Sequence, residues 1–336
     1  MKLSLIICTY KRHKAIIQLL NSVKEQTFYP AEILVIDGSP DDLTKEVLGQ
    51  NQYKNLIYHK VEPKDRGLTK QRNFGIANIN NNSEIVCFLD DDIVLEPAYF
   101  EELLKTYSLY PEALAVGGYI INEVKWNFVG PDLIPKDNEF FYDGWVRNEG
   151  SRFIMRKKLC LDSDVPPGFA PEFSHGRSIG FLPPSGKIYE TQQLMGGVSS
   201  FRKAVFETLQ FSTYFEGYGL YEDADFTLRV SNIGKLYVNT NARLAHYHDA
   251  SGRPNKYEYG KMVVRNGYYV WRVKYPKPST RAKLKWHAIT ILLTVVRFTN
   301  VLDKSSTKRK EALTEAIGRT IGWYSLLFNS PLNFGK

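Results

Sequence analysis

Cysteine is scarce in this chain of 336 residues: there are three, Cys8, Cys87 and Cys160, with no CxxC pair among them. Cys8 and Cys87 fall inside apolar runs and read as small buried hydrophobes of a reducing compartment. Glycine is missing where a dinucleotide enzyme needs it. The first apolar run leads into CTYKRHK (Cys8–Lys14), so there is neither a GxGxxG fingerprint nor a P-loop. A diphosphate bound there must be neutralised by something other than a glycine cradle. Long hydrophobic runs are absent too. Ala288–Val296 is the most apolar late stretch and falls far short of the ~20 residues that span a bilayer, so no crossing is expected. The opening run to Thr9 is too short for a secretory signal and serves directly as a strand, so export by the general route is not expected.

What is present is ordinary for a globular protein: 43% hydrophobic and 24% charged residues exclude disordered and collagen-like classes. The length accommodates one large domain with an appendage, or two domains. The net charge of +8 is unevenly placed: residues 253–336 carry 17 Lys and Arg against 4 Asp and Glu, while residues 1–252 carry 27 against 32. The tail is therefore +13 and the rest −5. A basic block interleaved with Trp and Tyr points to an anionic partner, or else to a solvated helical face.

Apolar runs alternate with helix-spaced segments from Leu3 onwards. Leu3–Cys8 reads as a strand and Ala15, Ile16, Leu19, Leu20 and Val23 as a helix face; Ile33–Ile36, Leu56–Val61 and Ile85–Leu89 are further strands, with Leu68–Ile79 a helix. This alternation predicts a parallel, doubly wound α/β sheet whose strand-to-helix loops open on one edge. Thr9–Arg12, Asp37–Ser39, Arg66–Gly67 and Asp90–Asp92 then line one crevice. Ala98–Tyr110 and Leu114–Ile121 extend the pattern, after which residues 123–193 are Pro-, Gly- and aromatic-rich. They read as short strands and loops over the crevice that shape an acceptor pocket.

Glu84–Asp92, EIVCFLDDD, is the stretch around which the rest is arranged. Three adjacent carboxylates at the carboxyl end of a buried strand repel one another unless a cation joins them. Oxygen ligation of this kind suits Mg²⁺ or Mn²⁺; the plain alternative is a solvated loop ahead of a helix starting near Pro97. Asp37 is either an acceptor for a base or ribose or a turn-former in DGSP. Order returns at Leu194–Phe201, LMGGVSSF, where Gly196 and Gly197 permit close backbone approach, and a helix is expected over Arg202–Leu209. In YEDADFTLR, Asp225 and Arg229 are spaced to pair, leaving Glu222 or Asp223 at a helix start as a base for a hydroxyl. Two short edge strands, Leu236–Val238 and Arg243–Ala245, deliver His246 and His248 on one side of an extended segment.

In this order the pieces CTYKR, VIDGSPDD, GLTKQRNFGI, DDD, GGVSSFR, YEDADFTLR and LAHYHD resemble the inverting glycosyltransferases of family 2, which have the GT-A fold. The resemblance covers about residues 1–252, with 1–121 as a nucleotide-sugar half and 122–252 as an acceptor half. It implies Thr9, Tyr10, Arg12, Asp37, Gly67, Lys70, Arg72, Asp90 and Asp91 as nucleotide-sugar-binding residues. Asp92 and His246 are the implied ligands of Mn²⁺ or Mg²⁺, with His248 as competitor. Gly196 and Gly197 would lie at the acceptor. Asp223, with Glu222, is the implied catalytic pair, Asp223 being the base of a single inverting displacement. The implied activity is transfer from a nucleoside-diphosphate sugar to a glycan or lipid-linked glycan in cell-surface polysaccharide synthesis. A sugar nucleotidyltransferase and a non-catalytic nucleotide-sugar binder are the alternatives.

The tail, residues 253–336, lies outside that resemblance and reads as a basic helical extension. Lys308–Phe328 places Leu313, Ala316, Ile317, Ile321, Tyr324 and Phe328 on one face, and Lys283–Thr299 adds Trp286 among basic residues. The expectation is helices within 283–328 lying on an anionic membrane surface, with a cytoplasmic protein peripheral on its inner face. Packing on the catalytic domain or a dimer contact are the other uses of such faces. No nucleic acid is expected as a partner.

Overall fold

The computed structural model describes the chain except for residues 133, 216, 249–253, 303–304 and 334–336. The expected boundary between residues 252 and 253 thus falls outside the described residues. In chain order, β1 (Leu3–Thr9), α1 (His13–Lys24), β2 (Glu32–Asp37), α2 (Leu43–Gly49), β3 (Leu56–Lys60), α3 (Leu68–Ala77), β4 (Ile85–Asp90), β5 (Ile93–Leu95), α4 (Tyr99–Leu109) and β6 (Ala113–Ile120) come first. They are followed by β7 (Asn127–Phe128), β8 (Glu139–Tyr142), β9 (Trp145–Asn148), α5 (Ser151–Lys158), β10 (Ile188–Thr191), β11 (Val198–Arg202), α6 (Glu222–Val230) and β12 (Lys235–His246). Helices α7 (Lys256–Lys274), α8 (Thr280–Thr299) and α9 (Ser306–Ser325) close the chain.

The chain divides into two compact units, Met1–Asn127 with Ser178–Gly252, and Phe128–Arg177 with Arg253–Lys336. In this division the Pro-rich segment 128–177 groups with the C-terminal helices. Backbone groups without secondary structure need partners, and these helices supply them. Trp271 Nε1 donates to the Glu172 carbonyl at 2.7 Å, the Tyr275 hydroxyl to that of Ala170 at 2.6 Å, and Phe173 packs with Ala282 and Ile289.

In the first unit a nine-stranded sheet runs β10-β12-β6-β11-β4-β1-β2-β3, with β5 paired to β12. Strands β4, β1, β2 and β3 are mutually parallel, as are β12 and β6, while β11 is antiparallel to both its neighbours. The register sets Cys8 opposite Asp90 and Thr9 opposite Asp37, so the ends of three strands fall in one row. One face of the sheet, through Leu5, Ile7, Val35, Cys87 and Leu89, is covered by Ile16, Leu19, Leu20 and Val23 of α1 and by Phe100 and Leu103 of α4. On the other face Phe226 of α6 stacks on Phe211 at 4.1 Å and meets Phe201 edge-on, while Phe88 meets Phe201 and Phe211. Each such phenylalanine contributes about 1.5–3 kcal/mol by burial. Their combined packing seats the start of α6 beside the end of β4.

Two expectations are corrected. Leu236–Val238 and Arg243–Ala245 belong to one strand, β12, with an irregularity between Val238 and Arg243, and it runs between β10 and β6. The helix expected over Arg202–Leu209 is a short 3-10 turn, Lys203–Glu207.

Candidate active site

The three carboxylates after β4 point to different places. Asp91 turns inward: its oxygens accept from Thr9 Oγ1 at 2.7 Å and Arg12 Nη1 at 3.1 Å. Burial pushes its carboxyl up to about 7 despite those two partners. It therefore closes the β1 loop onto the β4 loop. Asp90 keeps a side chain 40% exposed, and Asp92 meets both Arg12 Nη1 at 3.3 Å and His246 Nε2 at 3.1 Å.

His246 arrives through β5, an element the sequence reading missed. Ile93 pairs with His246 across an antiparallel ladder, and Tyr247 N donates to the Asp92 carbonyl at 2.9 Å, fixing the imidazole beside Asp92. Burial opposes charging of this ring, but the hydrogen bonds it donates to Asp92 and Glu123 outweigh it and lift the imidazole to about 10. The ring of His248 lies 4.1 Å from that of His246, with its Nε2 3.1 Å from Glu123 Oε1 and more than half its side chain exposed; Glu123, His246 and His248 are a second, more exposed set of possible ligand atoms. Asp90, Asp92 and His246 each offer one ligand atom, all within 4.8 Å of one another. Two carboxylate oxygens and one imidazole nitrogen fit Mn²⁺ or a similar divalent ion.

Beyond Asp90 lies a buried pair. Arg72 of α3 bonds Glu222 at the start of α6, stands 3.7 Å from Asp90, and lies 5.6 Å and 5.2 Å from the ring centroids of Phe88 and Phe211. Burial raises the Glu222 carboxyl above its ordinary range while Arg72 pulls it back, and Glu222 Oε2 has no hydrogen-bond partner among the described residues. Asp223 points elsewhere: Gly196 N donates to its Oδ2 at 3.2 Å and Ala224 N to its Oδ1 at 2.8 Å. Gly196 and Gly197 are explained by proximity. A Cβ on Gly197 would stand 2.1 Å from Asp90 Cγ, and one on Gly196 2.6 Å from Glu222 Oε1.

Asp37 is fully buried; its oxygens accept from Ser39 N at 2.7 Å and from the Tyr58 hydroxyl at 2.9 Å. Gln71, with no sequence signal, ties the neighbouring loops together by donating to the carbonyls of Thr9 at 3.1 Å and Ile36 at 2.8 Å. Gly67 takes a φ of +115° at the start of α3, a conformation glycine adopts without strain. Lys70 Nζ turns to the Lys64 carbonyl at 3.1 Å, and Tyr10 is exposed.

The family model described as glycosyl transferase family 2 matches residues 4–171, half of the chain. The chain belongs to glycosyl transferase family 2. This glycosyltransferase is 30% identical over 144 residues to the glucosyl-dolichyl phosphate glucuronosyltransferase of Haloferax volcanii, covering 42% of each chain. It is 30% identical over 118 residues to the O-antigen chain rhamnosyltransferase RfbN of Salmonella typhimurium, covering 35% of this chain and 37% of that one. It thus spans less than half the length of these two relatives. The crystal structure of GalNAc-T7 with UDP, GalNAc and Mn²⁺ superposes with a TM-score of 0.54 at 16% identity, over 99% of this chain and 58% of that one. The shared architecture is the GT-A fold, and the glycosyltransferase has C-terminal helices, α7 to α9, after its last strand.

Proposed function

We propose that this glycosyltransferase is metal-dependent and inverting, moving a sugar from a nucleoside-diphosphate donor to a hydroxyl of a glycan or lipid-linked glycan in cell-surface polysaccharide synthesis. One observation carries the reading: the dipeptide Gly196–Gly197 is flanked by Asp223 on one side and Asp90 on the other. A candidate base and a candidate metal cluster therefore lie on either side of two residues. Asp223 takes the proton of the acceptor hydroxyl, which attacks the anomeric carbon in line and inverts it. Asp90, Asp92 and His246 would hold the ion, and a bound divalent ion supplies charge against the departing diphosphate. Arg12 bridges Asp91 and Asp92, and Arg72 bridges Glu222 and Asp90, which offsets the repulsion among these carboxylates. The names of the relatives, a dolichyl-phosphate-linked transferase and an O-antigen transferase, support a lipid-linked surface glycan as acceptor.

Calorimetry with UDP, GDP and dTDP, with and without Mn²⁺, tests this on the wild type and on Asp92→Ala. Metal-dependent binding of one nucleotide, lost in Asp92→Ala while Asp223→Asn binds normally but turns over no sugar, is the expected result. Failure of every nucleotide to bind with Mn²⁺ present overturns the reading.

The second unit favours a membrane-surface location for the protein, on the inner leaflet. Among the described residues no helix is long and apolar enough to cross a membrane. Leu313, Ile317, Ile321 and Tyr324 nevertheless form an exposed row on α9, and Leu284, Ile291, Val295 and Phe298 another on α8. Lys308, Arg309 and Lys310 at the start of α9 match the anionic headgroups such rows would enter. Sedimentation with anionic vesicles should lose the protein when these three become Glu. Trp286, expected among the membrane-facing residues, is instead buried, stacked on Trp271 at 5.1 Å, and Ala316 is buried as well.

A further inference from the structure

The imidazole of His246 is held from both sides. Its Nε2 faces Asp92 Oδ1 at 3.1 Å, and its Nδ1 lies 3.2 Å from Oε1 of Glu123, a residue of the loop after β6. A neutral imidazole can offer a lone pair to a metal from one nitrogen only while the proton stays on the other. An ion held by Asp90 and Asp92 would take the place of the proton that Nε2 shares with Asp92, and the carboxylate against Nδ1 keeps the other proton there, which leaves Nε2 as the ligand atom. Glu123 itself is steadied by His248, whose Nε2 approaches the same Oε1 at 3.1 Å. The backbone of the ring is fixed independently: His246 N donates to Asn122 Oδ1 at 3.0 Å, and Asn122 Nδ2 to the His246 carbonyl at 2.9 Å. The loop that carries Glu123 is thereby clamped to the end of β12.

We infer that Glu123 is a positioning residue of the metal site, selecting the tautomer and orientation of His246, and that His248 is its support and not a ligand. The inference rests on the metal reading proposed above. Glu123 lies on a surface loop and its substitution removes no core packing, so fold and metal binding can be read separately.

The test measures Mn²⁺ affinity directly by calorimetry, with thermal unfolding recorded for each protein. Glu123→Ala should bind Mn²⁺ about 10–100-fold more weakly with an unchanged midpoint. Glu123→Gln, whose carbonyl still accepts from Nδ1–H, should restore most of that affinity, and His248→Ala should stay close to wild type. Equal Mn²⁺ affinity in wild type and Glu123→Ala overturns the inference and leaves the metal reading standing. A loss in His248→Ala as large as in Glu123→Ala, without rescue by Gln, overturns it in favour of His248 as a ligand. Absence of Mn²⁺ binding by the wild type itself overturns the metal reading, and this inference with it.

Discussion

Arg72 and Glu222, 150 residues apart in the chain, form a buried ion pair that joins the helix before the DDD strand to the helix carrying the candidate base. Neither group has a solvent route to compensation, so the pair stands or falls together. Arg72→Met should cost about 3–5 kcal/mol by leaving a carboxylate buried alone. The double variant Arg72→Met with Glu222→Leu should recover much of that loss. Urea unfolding of the two singles and the double gives the coupling directly, and additive losses would show that the pair is not a unit.

Gly197 has no room for a side chain, its Cβ position lying 2.1 Å from Asp90 Cγ. Gly197→Ala should therefore displace Asp90, destabilising the protein by about 1–3 kcal/mol and weakening Mn²⁺ binding. Gly49→Ala, where nothing among the described residues lies within 4 Å of the new atom, is the control and should neither destabilise the protein nor weaken Mn²⁺ binding.

Helix α9 crosses α7 through glycine: a Cβ on Gly318 would lie 2.1 Å from the Tyr257 carbonyl oxygen, and one on Gly260 2.3 Å from that of Glu315. Gly318→Ala should destabilise by about 1–3 kcal/mol. Ile317→Ser and Ile321→Ser, on the exposed side, should shift stability by no more than about 0.5 kcal/mol while reducing binding to anionic vesicles. Comparing chemical denaturation with vesicle sedimentation for both sets separates the packed face from the free one.

His175 lies among Trp286, whose ring is 6.0 Å away, and Thr290, 3.4 Å from its Nε2. Burial, with Arg156 and Arg319 adding repulsion, lowers its imidazole from 6.5 to about 3. The unfolded chain then holds this proton more tightly than the folded one. The contribution is complete above pH 6.5 and is lost as pH falls towards 3, at up to about 1.4 kcal/mol per unit. Between pH 7 and 4.5 the wild type should lose about 2 kcal/mol more than His175→Asn in urea titrations; parallel losses would mean that His175 titrates as in the unfolded chain.

The parallel half of the sheet was legible because buried strands read as unbroken apolar runs: Leu3–Thr9, Glu32–Asp37 and Ile85–Asp90 all lie within a residue or two of their expected ends. The pairing of Asp225 with Arg229 was legible too, being a local spacing, and it forms at 2.7 Å. β5 was not, since three apolar residues carry no periodicity of their own and become a strand only when β12 supplies the partner. The close α7–α9 crossing had a signal that went unread, Gly318 and Gly322 four residues apart on one face. The apolar periodicity of Leu313, Ile317 and Ile321 drew attention to the opposite side of the helix.

The sequence by itself determined which residue types stand at the ends of the strands, because strand order, loop position and motif spacing are properties of a linear pattern. Only the tertiary structure decided what each of them faces. It turned Asp91 inward to Thr9 and Arg12, left Asp90 open, closed Glu222 onto Arg72, gave Asp223 to the Gly196 amide, and chose His246 over His248 for Asp92. Those choices depend on partners 27 to 154 residues away, and a side chain's direction at that range is set by sheet register and by the space that glycine leaves, neither of which a local pattern encodes.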